Sequence, residues 1–162
     1  PSLIVNLGPF HEMGALEFVK HIFQGVSQVF LINNWITGVL FVIGLLISNK
    51  WAGIWALIGS TISLSLAIMF ETAETSINDG LYGFSATLTG IAIGMTFFQP
   101  NWRSAIWAVL AVVTTVFIQA AMNAFLLPYG IPSLTAPFCI ATWLFWLPQF
   151  NFDKPSTATK TN

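Results

Sequence analysis

Between residues 104 and 127 the chain carries no charged side chain, and about 20 apolar residues are enough for a helix to cross the hydrocarbon core of a bilayer. The pattern recurs. Apolar stretches occupy residues 16–32, 35–48, 51–70, 80–98, 104–127 and 136–147. Polar breaks separate them: Asn33-Asn34, Asn49-Lys50, the acidic segment from Glu71 to Asp79, Gln99-Pro100-Asn101, and the proline-rich turn from Pro128 to Pro137. Each break suits a helix end. Only 7% of the residues are charged and 56% are hydrophobic, which leaves too little polar surface to cover a core in water. A surface facing lipid tails asks for apolar side chains instead. The expected fold is an all-α integral membrane protein.

The stretches 51–70, 80–98 and 104–127 are long enough to span alone, whereas 35–48 and 136–147 need help from flanking residues. The first stretch differs, because it carries Glu17, Lys20, His21 and Gln24. Such groups are costly in lipid unless they sit near an interface or face a polar interior, so residues 16–32 read as a tilted half-span. The first ten residues lack the basic flank and apolar core of a signal peptide, and residues 1–15 read as an N-terminal segment or linker of a processed or excised chain. Residues 149–162, rich in Thr, Lys and Ser, read as a solvated polar tail. Small residues paired along the stretches, Gly59 with Ser63, Gly90 with Gly94 and Ala120 with Ala124, let helix backbones approach closely. Lys50, Arg103, Lys154 and Lys160 are too few to orient the chain across the membrane.

Several function classes drop out on composition. A net charge of -1 gives no electrostatic footprint for nucleic acid. The single cysteine, Cys139, has no partner for a disulfide and no metal-binding spacing around it. The segment Gly83-Phe84-Ser85-Ala86 has the look of a nucleophile setting, but both histidines, His11 and His21, precede it and no later span supplies a base. No enzymatic role and no cofactor are expected.

Uncharged polar groups remain in apolar surroundings: Gln28, Thr87, Thr89, Thr114, Thr115, Gln119, Asn123, Thr135 and Thr142. Paths for ions or protons are marked by ionisable residues within the spans. None occurs in residues 80–98 or 104–148. These polar groups therefore suit a neutral, hydrogen-bonding solute, although for most threonines a bond to their own helix backbone is the simpler expectation. Gln28 and Thr135 stand apart. The carboxamide of Gln28 lies among apolar and aromatic neighbours and can both donate and accept. Thr135 lies between Pro132 and Pro137, which remove backbone donors and interrupt any helix. Broken backbone at membrane depth is tolerated only inside protein or beside a water-filled cavity, so this turn is either a pathway element or an interfacial loop.

Three ordered motifs resemble the urea transporter family. Ala15-Leu16-Glu17 through Gly25-Val26-Ser27-Gln28-Val29-Phe30, followed by Asn33-Asn34 and Thr37-Gly38, is similar to the opening of one repeat of such a transporter. Residues 80–90, Gly-Leu-Tyr-Gly-Phe-Ser-Ala-Thr-Leu-Thr-Gly, resemble its middle signature, and Pro132-Ser133-Leu134-Thr135-Ala136-Pro137-Phe138 its Pro-x-x-Thr-x-Pro-Phe signature. Ile131 stands where that signature usually has Leu, and Ser85 where Asn often follows the aromatic residue. The resemblance implies one half of an inverted-repeat channel, with residues 16–32 as a re-entrant pore helix and residues 33–148 as a five-span transmembrane repeat. Only one copy of each motif is present, so the chain reads as a repeat half of a bacterial-type urea channel, the C-terminal one, that needs the other half to complete its pore.

The resemblance further implies passive transport of urea in a cell membrane, the bacterial inner membrane, by a trimer of complete pores. By the same resemblance Gln28 sits at a binding site near the mouth and Thr135 at the central constriction. Val29, Leu81, Phe84, Leu88 and Phe138 are expected in or near the pore lining, and carbonyls at broken helix ends would form a ladder of acceptors. Short amides, ammonia and a purely structural subunit role are the competing readings. An ammonia channel would want a pair of pore histidines, which this chain lacks.

Overall fold

A computed structural model describes residues 14–69 and 83–148. The polar tail, the acidic segment, Leu81 and residues 1–13 lie outside the described residues. Six α-helices follow one another among those described. They are α1 (Ala15–Ser27), α2 (Trp35–Ser48), α3 (Lys50–Met69), α4 (Gly83–Ile91), α5 (Trp102–Leu126) and α6 (Ala136–Trp146). Short tighter or wider turns extend three of them: a 3-10 turn at Gln28–Phe30 after α1, a π turn at Ala92–Thr96 after α4, and a 3-10 turn at Leu127–Tyr129 after α5.

The polar breaks become caps. Asn34 Oδ1 accepts from the Ile36 N–H at 2.8 Å at the start of α2, and Asn49 Oδ1 accepts from the Trp51 N–H at 2.9 Å at the start of α3. At α5, Asn101 and Ser104 form a reciprocal capping box, with the Asn101 N–H donating to Ser104 Oγ at 2.9 Å. Each satisfies helix N–H groups that lipid cannot.

Helix α3, and α5 with its trailing 3-10 turn, are each long and apolar enough to cross a bilayer alone. Residues Ala15–Phe30 and Trp35–Ser48 pass that test only together and are bent by 75° to each other, the geometry of a broken span or a re-entrant loop. The described part of the region 80–98 is not a single regular α-helix. Its described helix starts at Gly83, and the C-terminal end goes into the π turn, where the Phe97 N–H reaches back to the Ala92 carbonyl at 2.8 Å. Pro100 follows and denies a donor to any continuation.

Helix α4 sits at the centre, packed against α1, α3, α5 and α6. Its side chains are small enough to allow this. Gly83, Ser85, Ala86, Thr87, Thr89 and Gly90 are all buried. Where α4 crosses α3, a Cβ on Gly59 would stand 2.5 Å from the Ala86 carbonyl oxygen, so the two backbones are in contact. Where it meets α1, a Cβ on Gly83 would stand 2.6 Å from Gly25 Cα. Ser60 on α3 closes the same junction by donating from Oγ to the Ile22 carbonyl at 2.7 Å. Three helices are thereby locked together just before Gln28 and just before Phe84.

The threonines behave mainly as helix glue. Thr89 Oγ1 donates to the Ser85 carbonyl at 2.9 Å, Thr114 Oγ1 to the Leu110 carbonyl at 2.8 Å, and Thr115 Oγ1 lies 2.9 Å from Thr89 Oγ1. Large apolar side chains such as Leu40, Ile47, Phe117 and Leu144 point outward and are exposed, as lipid-facing positions require.

Candidate functional site

The chain reverses sharply after α1, and side chains hold the reversal. Ser27 Oγ lies 2.8 Å from the Gln24 carbonyl and 2.6 Å from that of Ile32, bridging the ends of the turn. Gln24 Nε2 donates to Asn33 Oδ1, and the Leu31 N–H donates to the Gln28 carbonyl at 2.9 Å. Ser27, Gln28 and the Asn33-Asn34 pair therefore have local structural reasons to occur in this order. The outcome is that Gln28, only 6% exposed, is held at the end of a half-length helix.

The proline-rich turn is built differently. Helix α5 ends in a 3-10 turn capped by Gly130 at φ 64°. Residues 131–135 then run without helix until Thr135 caps α6, whose second residue is the buried Pro137. A proline in the first helical turn loses nothing, because that N–H has no partner within the helix.

These two turns face one cavity of about 590 Å³. Gln28 and Leu31 border it from the first turn, Phe84 from α4, Gln119 and Asn123 from α5, and Ser133 with Leu134 from the second turn. All three described residues with positive φ border it as well: Leu31 at 57°, Gly130 at 64° and Leu134 at 46°. A left-handed leucine costs roughly 1–2 kcal/mol. Two of them beside one cavity is the kind of retained strain found at functional sites.

The polar lining is carboxamide and hydroxyl, with no charge among the described lining residues. Gln119 is 1% exposed, and Asn123 follows one helical turn later on the same face. Ser133 Oγ donates to Asn123 Oδ1 at 2.6 Å, which ties the proline turn to α5 and fixes the rotamer of that amide. A carboxamide offers an acceptor and two donors. Three of them, with Phe84, Ala120 and Leu127 as apolar wall, form a surface that matches a small neutral molecule carrying both donors and acceptors and offers no compensation for an ion.

Of the residues expected from sequence, the structure brings Gln28 and Phe84 together at the cavity. Val29 adjoins Gln28 in the 3-10 turn, Leu88 lies one turn along α4, and Phe138 lies in the first turn of α6, each half-buried. Thr135 is exposed, and its carbonyl accepts from the Cys139 N–H at 3.1 Å. These four are not among the residues lining this cavity, where the turn contributes Ser133 and Leu134 instead. Leu81 lies outside the described residues. Gln119 and Asn123 were visible only as polar residues in an apolar helix; their i, i+4 spacing is the signal that points to a shared face.

The model of the urea transporter family matches residues 6–150. The chain belongs to the urea transporter family. The chain is 32% identical over 136 residues to Urea transporter 1 of Ovis aries. It is 35% identical over 140 residues to Urea transporter 1 of Mus musculus. Each alignment covers 84% of this chain and 35% of the relative, so the chain spans about a third of the length of these relatives. Its family is one of membrane transporters rather than enzymes.

Proposed function

We propose that this chain forms part of a passive, channel-like path for urea, and that the cavity between the two strained turns lies on that path. The observation that carries the reading is the lining: Gln28, Gln119 and Asn123 present carboxamides around one uncharged space. Urea is a flat neutral diamide, so its carbonyl and amine groups exchange water for partners of their own kind, while Phe84 and the leucines narrow the space around its faces. The described lining residues carry no ionisable group, which supports a solute moving down its own gradient without coupling to a charge.

In this reading α1 with its turn is a re-entrant helix and α2 to α6 are the five spans, with α2, α4 and α6 completed by flanking residues. The 75° bend between Ala15–Phe30 and Trp35–Ser48 supports the re-entrant part. A second, inverted repeat completes the pore, supported by a chain that matches 35% of its relatives' length, and complete pores assemble as trimers. The reading places the protein in a cell membrane. A bacterial inner membrane rests on the resemblance of the motifs alone, the relatives named above being mammalian.

Stopped-flow solute efflux from proteoliposomes tests the function. Vesicles holding this chain with its complementary repeat should release urea at least about tenfold faster than glycerol, since a partner lost from a desolvated polar site costs 1.4 kcal/mol or more. Thiourea, whose sulfur accepts hydrogen bonds weakly, should fall between them. Urea release no faster than from empty vesicles, with a folded complex verified in the membrane, would contradict the proposal.

A further inference from the structure

A second recessed surface lies along the N-terminal part of α5, whereas the path is bordered by the C-terminal part of that helix, and nothing in the transport reading uses it. Helices α3 and α5 run with their N-termini side by side, because Trp51 and Trp102 both line a hollow of about 250 Å³ together with Pro100 and Asn101. From that hollow an apolar groove of about 440 Å³ continues between the helices, walled by Ile54, Ile58, Ile106, Val109 and Leu110. Trp51, Trp55 and Ala105 border both, so the two are one continuous recess with a tryptophan-lined mouth, to which Asn101 adds a polar side chain, and an apolar shaft. From Trp51 to Ile58 the shaft follows α3 for roughly 10 Å at 1.5 Å per residue.

The charges at its mouth are distinctive. The charged side chains among the described residues are Glu17, Lys20, Lys50 and Arg103. Two of the three cations adjoin tryptophans that line this opening, although neither is itself among the lining residues: Lys50 is the chain neighbour of Trp51, and Arg103 that of Trp102, with its guanidinium 5.5 Å from the Trp102 ring centroid. Both are exposed, and no described carboxylate lies on α3 or α5. Asn49 and Asn101 already cap the two helix starts, so attraction for an anion rests on the side-chain cations. Trp51 and Trp102, half or more exposed beside them, are residue types that settle at the headgroup level of a bilayer.

We propose that this recess binds an anionic phospholipid, with one acyl chain lying along the groove between α3 and α5 and the phosphate held between Lys50 and Arg103. A zwitterionic lipid fills the same shaft but brings its own cation to the mouth, and a free phosphate gains the cations without the shaft. Recognition of both parts by one ligand gives selectivity for an anionic headgroup on an acyl chain. A second copy of this chain is the competing occupant, but it would bring its own Lys50 and Arg103 to an opening beside which these two cations already stand.

Native mass spectrometry of the full chain in detergent, with its complementary repeat where that is needed for solubility, tests this with defined lipids. Phosphatidylglycerol should remain bound at concentrations about tenfold below those needed for phosphatidylcholine, as two surface cations near an anionic headgroup would give. The double variant Lys50→Gln/Arg103→Gln, altered only at exposed positions, should bind the two lipids alike. Ala105→Phe, which fills the shared stretch of the recess, should weaken both. Inorganic phosphate should not displace phosphatidylglycerol. Equal retention of both lipids by the parent, or an unchanged preference in the double variant, overturns the proposal. So does a dimer that Ala105→Phe dissociates while lipid retention stays as in the parent.

Discussion

Gly83→Val should leave little folded protein, a loss of at least about 3 kcal/mol of stability, because the overpacking falls on backbone rather than on a side chain that can swing aside. A Cβ at Gly83 would stand 2.6 Å from Gly25 Cα and 3.3 Å from the Gly25 carbonyl carbon. Ser60 Oγ, which ties α3 to α1, lies 3.3 Å from the same point. Relief would require α1 to move away from α4, and with it the turn that holds Gln28. The control is Gly44→Ala on the exposed side of α2, where an added Cβ meets nothing within 4 Å; it should leave stability unchanged or raise it by up to about 1 kcal/mol through helix propensity. Thermal unfolding in a single detergent separates the two. Equal melting temperatures for both variants would show that the close approach of α1 and α4 does not carry the packing.

Gln28→Ala should lower urea permeability about tenfold, with a much smaller effect on folded yield. Gln28 lies in a 3-10 turn after the α1–α3–α4 junction, so the junction survives the truncation. The cavity loses an amide that is 6% exposed, and a solute shedding water there loses a donor and an acceptor worth roughly 1.4 kcal/mol together. Asn123→Ala should act in the same direction and also release Ser133, whose hydroxyl it accepts at 2.6 Å. Stopped-flow urea efflux at matched protein abundance reads both. Permeability equal to the parent for Gln28→Ala would remove this residue from the solute path.

The helix plan is largely legible in the sequence because each break carries its own chemistry. Asn34 and Asn101 turn out to be capping residues, and the apolar stretch 35–48 coincides with α2. The charged and amide residues of 16–32 point to a half-span, and that region is a 13-residue helix followed by a turn. The π turn at Ala92–Thr96 is not legible. Its wider hydrogen bonds depend on neighbours distant in sequence: Gly94 lies against the Trp55 ring, so close that a Cβ would stand 2.4 Å from it.

The cavity is half legible. Gln28 stands out as an isolated amide in an apolar setting. The i, i+4 spacing of Gln119 and Asn123 puts them on one face of α5, but a helix as uniformly apolar as α5 gives no sign of what that face meets, so spacing alone does not separate them from the threonines that bond to their own backbone. In the proline turn, sequence directs attention to the threonine between the prolines. The left-handed backbone at Leu134, which few rules would assign to a leucine, leaves Ser133 and Leu134 facing the cavity and places Thr135 at the start of α6.

Site-directed labelling tests whether urea passes through the cavity bounded by Gln28, Gln119 and Asn123. Cys139 is the chain's single cysteine, so Ala124→Cys in a Cys139→Ser background places one thiol on the cavity lining. Modification by a small methanethiosulfonate reagent should cut urea efflux at least about fivefold by narrowing the path, and saturating urea should slow the modification. Complete labelling at this position with urea efflux unchanged would contradict the account.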